Sequence, residues 1–112
     1  MLNDPKARAV WPEKVAIITG GAGGCGAAAS RLFAAEGAKV IIIDLNGDAA
    51  VNLASQIIAD GDQALGLGAD VSQAVQVREA IARGLAEFGP ADVLFNHAGT
   101  LIVKPFSGRA GA

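Results

Sequence analysis

Val15-Ala16-Ile17-Ile18-Thr19-Gly20-Gly21-Ala22-Gly23-Gly24-Cys25-Gly26 is the stretch on which the reading of this chain turns. An apolar run of strand character passes straight into a glycine-rich turn, and the alanine-rich segment that follows has helix character. A strand, a glycine turn and a helix start, in that order, form a grip for a dinucleotide pyrophosphate. One glycine permits the tight turn, a second removes a Cβ that would hold phosphate away, and a third lets helix and strand pack closely. Taken alone, the same glycines are equally a plain loop. Context adds to them: the next apolar run, Lys39-Val40-Ile41-Ile42-Ile43, ends in Asp44. That position falls about 20 residues beyond the glycines, where a carboxylate can accept both hydroxyls of an adenosine ribose. The alternative reading of Asp44 is a solvated carboxylate at a strand end.

The composition narrows the class. The 112 residues suit one domain of modest size, and a hydrophobic content of 52 % with mean hydropathy +0.41 predicts a well-buried chain. No apolar run approaches the roughly 18 residues that span a bilayer. Asp4, Lys6, Arg8 and Glu13 deny the amino terminus the apolar core of a signal peptide, so a cytoplasmic protein without a membrane partner is expected. One cysteine excludes an intrachain disulfide, and one histidine without a ligand cluster argues against structural zinc. A net charge of −2 gives no electrostatic reason to expect nucleic acid.

Strand-like and helix-like segments alternate along the chain, the pattern of a doubly wound α/β fold. Strands are expected near Val15 to Thr19, Lys39 to Asp44, Gln63 to Gly68 and Asp92 to Asn96, hydrophobic enough for burial on both faces. Gly37 and Gly61 suit left-handed caps just past the first two helices. The third helix is the most amphipathic, with Val77, Ile81, Leu85 and Phe88 on one face and Ser72 as candidate cap. Right-handed crossovers then give a Rossmann-type parallel sheet of order 3-2-1-4, with the glycine turn at its carboxyl edge near the switch between strands one and four. Residues 1–12 read as an amino-terminal arm whose Trp11 packs on the sheet, 13–106 as a partial nucleotide-binding domain, and 107–112 as an atypical tail without apolar periodicity.

With these motifs assembled, the chain resembles the classical short-chain dehydrogenase/reductase family from Lys14 to about Phe106. Thr19-Gly20 with Gly24 and Gly26 fits that family's TGxxxGxG turn, around which Gly21, Gly23 and Cys25 also fall. Asp44, followed by Leu45, fits its NAD-selecting acid. Asp70-Val71 fits the pair that holds adenine, and Asn96-His97-Ala98-Gly99 fits its NNAG motif with His97 in place of the second asparagine. The resemblance implies NAD as cofactor, preferred over NADP because Asp44 repels a 2′-phosphate and Leu45 and Gly23 offer no cation in compensation. Asp70 can accept from the adenine amino group while Val71 flanks the ring, or Asp70 caps a helix beside Ser72; both roles are compatible. Asn96 is expected to tie strand four to its neighbours, and Ala98-Gly99 to present a small surface to ribose. His97 invites a general-base role, but the family does not use that position for proton transfer. Cys25 reads either as an activated thiol or, in line with the family, as a small side chain packed beneath the cofactor.

The family's chemistry also uses a serine and a YxxxK pair, and this chain has no tyrosine. No catalytic residue is therefore assigned. A chain cut short, or a change of reading frame, is expected near Phe106. It would leave Asp92-Val93-Leu94-Phe95 as an exposed apolar edge through which copies self-associate. The leading expectation is the cofactor-binding half of an NAD-dependent oxidoreductase, moving hydride between nicotinamide and a small-molecule secondary alcohol or ketone. The competing expectation is a natural short chain that binds a nucleotide or a partner without catalysis; a Rossmann-like domain for a different ligand fits Asp70-Val71 and Asn96-Ala98-Gly99 less well.

Overall fold

A computed structural model of the chain describes residues 13–20, 22–70 and 72–96, and the backbone course of 100–106. The expected arm at 1–12, the tail at 107–112, and Gly21, Val71, His97, Ala98 and Gly99 lie outside the described residues. The elements run β1 (Val15–Thr19), α1 (Gly24–Ala35), β2 (Lys39–Asp44), α2 (Gly47–Ala59), β3 (Gln63–Gly68), α3 (Ala74–Phe88), β4 (Ala91–Asn96) and β5 (Thr100–Phe106). The first three strands coincide with the sequence reading, and the fourth starts one residue earlier, at Ala91 rather than Asp92.

Four strands are parallel, in the order β3-β2-β1-β4, as the crossover rule requires. β1 lies at the centre. Its alternate side chains enter two separate cores, because successive residues of a strand point to opposite faces. On one face Ala16 and Ile18 join Val40, Ile42, Ala64 and Val93 beneath α1 and α2, which contribute Ala34, Ala50, Leu53, Ala54 and Ile57. On the other, Val15 and Ile17 join Ile41, Ile43 and Leu67 beneath α3, from which Ala80 is buried and Ile81, Leu85 and Phe88 pack as partly buried partners. The helices thus cover both faces. Gly37 and Gly61 each follow a helix with φ +97°, the left-handed conformation in which a Cβ would be strained. Ser72 does not cap α3, whose N-cap is Gln73 with no side-chain hydrogen bond; the Ser72 hydroxyl turns back to Asp70 instead.

The carboxyl side of β4 differs from expectation. β5 pairs with β4 antiparallel, aligning Asn96 with Thr100, Phe95 with Leu101, Leu94 with Ile102 and Val93 with Val103, with a bulge between Ala91 and Val93. The edge of β4 is therefore covered by the same chain, and the expected exposed edge there is corrected. The physical reason is that the unpaired N–H and C=O groups of β4 are a template for any adjacent strand-forming segment, and Leu101-Ile102-Val103 is one. Pro105 is tolerated because β5 lies at the edge of the sheet.

Two glycines let helices lie close to the sheet. A Cβ on Gly66, in mid-β3, would run into the main-chain oxygen and carbon of Ala50 in α2. A Cβ on Gly84 of α3 would stand 2.6 Å from Cδ1 and 2.8 Å from Cγ2 of Ile41, which is wholly buried in β2. Gly66→Ala must push a helix backbone away and should cost about 3 kcal/mol. Gly84→Ala meets a side chain and recovers about 1 kcal/mol of helix propensity, so its net cost should be smaller, about 1 kcal/mol. Urea unfolding of the two variants checks this order; a Gly66→Ala midpoint equal to that of the parent would contradict the packing described.

Candidate functional site

Polar groups with no place in two apolar cores collect where the strands end. Across the carboxyl edge of the sheet, register sets Gly68 beside Asp44 and Thr19 beside both Ile43 and Asn96. Backbone hydrogen bonds continue past the last paired residues: Gly20 N–H donates to Ile43 O at 2.7 Å, and Ala69 N–H donates to Asp44 O at 3.0 Å. The ends of four neighbouring strands are thereby stitched into one rim. Strands in a sheet lie about 4.8 Å apart, so the rim runs about 14 Å from β3 to β4. Helices α1 and α2 lie on one face and α3 on the other, so the chain diverges at β1 and β4, and the crevice outside that switch is where such sheets bind ligands.

The glycine turn occupies the middle of the rim. Gly20 has φ +65° and Gly24 φ +50°, both left-handed, so the turn reverses in a space that side chains would strain. Gly23 is different. Its backbone is extended, with φ −132° and ψ 150°, and a Cβ added there would meet nothing within 4 Å. Neither backbone conformation nor packing calls for glycine at that point; what glycine preserves is open room in front of the turn. The helix behind it is left able to receive an anion. Gly23 O accepts from Gly26 N–H at 3.0 Å and Ala27 N–H at 3.3 Å, no side chain caps α1, and no acid stands in its first turn. Helix α2, by contrast, is closed by Asn46, whose side chain accepts from Ala49 N–H at 3.0 Å, and carries Asp48 in its first turn. Gly26 is buried in α1, whereas Cys25 is exposed at the helix start and takes no part in either core.

Asp44 stands at the end of β2, half-buried, with Leu45 beside it and 74 % exposed. Its Oδ2 accepts from Ala22 N–H at 3.1 Å and its Oδ1 accepts from Asn46 N–H at 2.9 Å. Thr19, although buried, donates its hydroxyl to Asn96 Oδ1 at 3.2 Å, so Asn96 ties the ends of β1 and β4 as its amide chemistry suggested. Asp70 follows β3 and forms its own small turn, accepting through Oδ1 from Ser72 N–H at 3.0 Å and Ser72 Oγ–H at 2.7 Å. The Ser72 hydroxyl bond, then the Ser72 amide bond, hold the Asp70 carboxyl below its ordinary 3.8. Asp70 thus closes a local turn with Ser72 and does not cap α3, whose N-cap is Gln73. Sequence reasoning missed the partners of these acids. Asn46, three residues before Ala49, was legible as a helix N-cap. Gln76 Oε1, which accepts from Asp70 N–H at 2.9 Å, carried no sequence signal.

A depressed carboxyl favours the folded turn above its unfolded value, and that contribution is lost only as pH falls through the lower folded value. The Asp70 midpoint should therefore lie below 3.8 in the folded chain. In Ser72→Ala the larger of the two bonds is gone, and the Asp70 midpoint, followed by carboxyl carbon NMR, should rise towards 3.8. An unmoved midpoint would mean that the serine hydroxyl is not what holds it down.

Among the described residues no helix is long and apolar enough to cross a membrane, and no group of His, Cys, Asp and Glu is placed to hold a metal. The short chain dehydrogenase family model matches residues 14–110. A 2,5-dichloro-2,5-cyclohexadiene-1,4-diol dehydrogenase of Sphingobium indicum is 47 % identical over 88 residues, which cover 79 % of this chain and 35 % of that protein. The D-threitol dehydrogenase of Mycolicibacterium smegmatis is 40 % identical over 92 residues, covering 82 % of this chain and 35 % of its own length. An uncharacterized oxidoreductase of Bacillus subtilis, YuxG, is 41 % identical over 107 residues, 94 % of this chain and 15 % of that one. The chain thus spans about a third or less of the length of these curated relatives. Family model, relatives and an α/β sheet of the expected order agree: the chain belongs to the short-chain dehydrogenase/reductase family of oxidoreductases, which use a nicotinamide cofactor.

Proposed function

We propose that these residues are the NAD-binding part of a cytoplasmic dehydrogenase that moves hydride between nicotinamide and a secondary alcohol or ketone. The observation that carries the reading is the Asp44 carboxylate, set at the end of β2 directly against the glycine turn through Ala22. In this reading the uncapped start of α1 receives the pyrophosphate, with Thr19, Gly20, Gly21, Gly23, Gly24, Cys25 and Gly26 forming the floor of the cradle. Asp44 accepts the adenosine ribose hydroxyls, with Leu45 alongside. Asp70 and Val71 flank the adenine, and Asn96, Ala98 and Gly99 support the far ribose. Bound there, the cofactor supplies a hydride acceptor or donor; the chain itself binds, orients and selects.

Selection follows from charge. A carboxylate at Asp44 faces the position where NADP carries a 2′-phosphate, and the exposed neighbour Leu45 brings no cation to offset the repulsion. Like-charge opposition in a partly desolvated site is worth several kcal/mol, sufficient for at least about tenfold preference. Support for the alcohol class comes from two relatives, dehydrogenases of a chlorinated cyclohexadienediol and of D-threitol. General acid–base groups are not assigned within the chain, which has no tyrosine to stand in the YxxxK pair that the family resemblance implies. The 112 residues by themselves are accordingly expected to bind NAD without turning over alcohols.

Calorimetric titration of NAD and NADP tests the selection. The parent chain should bind NAD at least about tenfold more tightly than NADP, and Asp44→Ala combined with Leu45→Arg should reverse the order. An NAD/NADP affinity ratio that does not move between the two proteins would remove Asp44 from the selecting role.

A further inference from the structure

We infer that Asp44 is also a positioning residue for the pyrophosphate turn: its carboxylate holds the β1–α1 glycine turn and the β2–α2 turn in one arrangement before any nucleotide arrives. The inference deepens the NAD-site reading and rests on it. Its starting point is that each carboxylate oxygen is engaged by a main-chain amide of a different loop, Oδ2 by Ala22 at 3.1 Å and Oδ1 by Asn46 at 2.9 Å. The second of these is a local turn across two residues, which any strand-end aspartate can make. The first is not local. It joins positions 22 residues apart and reaches a turn whose own N-cap, Gly23, has no side chain with which to fix it.

That bond decides which amides of the turn are offered to an anion. The N–H of Ala22 is drawn down to Asp44, and those of Gly26 and Ala27 are taken by Gly23 O, so an anion at the head of α1 is left to the amides of Gly23, Gly24 and Cys25. Without the carboxylate, a turn with left-handed glycines on both sides has many conformations of similar energy, and anion binding must then order it at an entropic cost. The two roles are compatible within one side chain. A carboxylate oxygen has two lone-pair directions, so each can keep its amide and still accept a ribose hydroxyl. Its negative charge, placed near an expected pyrophosphate, is partly balanced by the amides it already holds.

The test separates the turn from the ribose by using probes that carry only one of them, on the full chain. Without ligand, amide hydrogen exchange at Ala22 and Asn46 should be slow in the parent and at least about tenfold faster in Asp44→Ala, with the β1 and β2 amides unchanged. Inorganic pyrophosphate, followed by NMR titration, should bind Asp44→Ala about tenfold more weakly, and Asp44→Asn, which keeps one acceptor oxygen, should recover part of that loss. Unchanged Ala22 exchange together with unchanged pyrophosphate affinity in Asp44→Ala overturns the positioning role and leaves NAD selection standing. Adenosine, titrated in parallel, reports the ribose role: an affinity untouched by the substitution counts against the proposed function and not against the positioning role. If Asp44→Ala does not fold, Asp44→Asn decides alone, because faster exchange at Ala22 or Asn46 with weaker pyrophosphate binding supports the inference and no change in either overturns it.

Discussion

The described elements are arranged around a central strand, β1, that is buried along its whole length. β1 is paired on both edges, by β2 and β4, and covered on both faces, by α1 and α2 on one side and α3 on the other. A strand in that position can carry only apolar or small side chains along its length, since a buried polar group without a partner costs several kcal/mol. Polar chemistry is therefore expelled to its ends. Thr19, the last residue of β1, is the first able to hold a hydroxyl, and it does so with a partner across the sheet in Asn96. Because all four parallel strands point the same way, their last residues collect on one rim, and the rim inherits the main-chain amides that the sheet and α1 leave open.

Much of this was legible in the amino-acid sequence, for reasons that can be named. β1 and β2 were placed to the residue because strands buried on both faces are continuous apolar runs with turn residues at each end, and β3, an edge strand with exposed ends, because Gly61 and the polar residues around it mark where it begins. Gly37 and Gly61 marked helix ends because a left-handed backbone is strained for every other residue type. What escaped was information held in pairs of residues distant in sequence. Nothing in Gly66 or Gly84 says that Ala50 and Ile41 lie against them. Nothing in Ala22 says that its amide meets Asp44. β5 was missed for a different reason: Leu101-Ile102-Val103 has strand composition, but its pairing partner is set by which edge of the sheet is open, and that is decided by topology.

The candidate site shows a division of labour that the glycine pattern alone conceals. Gly20 and Gly24 are glycines for their own backbone, each with positive φ. Gly23 has an extended backbone and open space where its Cβ would be. Asp44 and Asp70 each begin a short turn with their own downstream amides, but only Asp44 also reaches back across 22 residues to the glycine turn. A single carboxylate thus joins the glycine turn to the turn after β2, in a chain whose family uses a nicotinamide cofactor.

The most direct test of the account is an NMR titration of the full chain with NAD, following backbone amides. Shifts should be confined to the carboxyl rim, at Gly20 to Gly26, Asp44 and Leu45, Asp70 to Ser72 and Asn96, with the amino ends of β1 to β4 unmoved. Shifts spread over the opposite edge of the sheet, or none at NAD concentrations that saturate ordinary dehydrogenases, would contradict it.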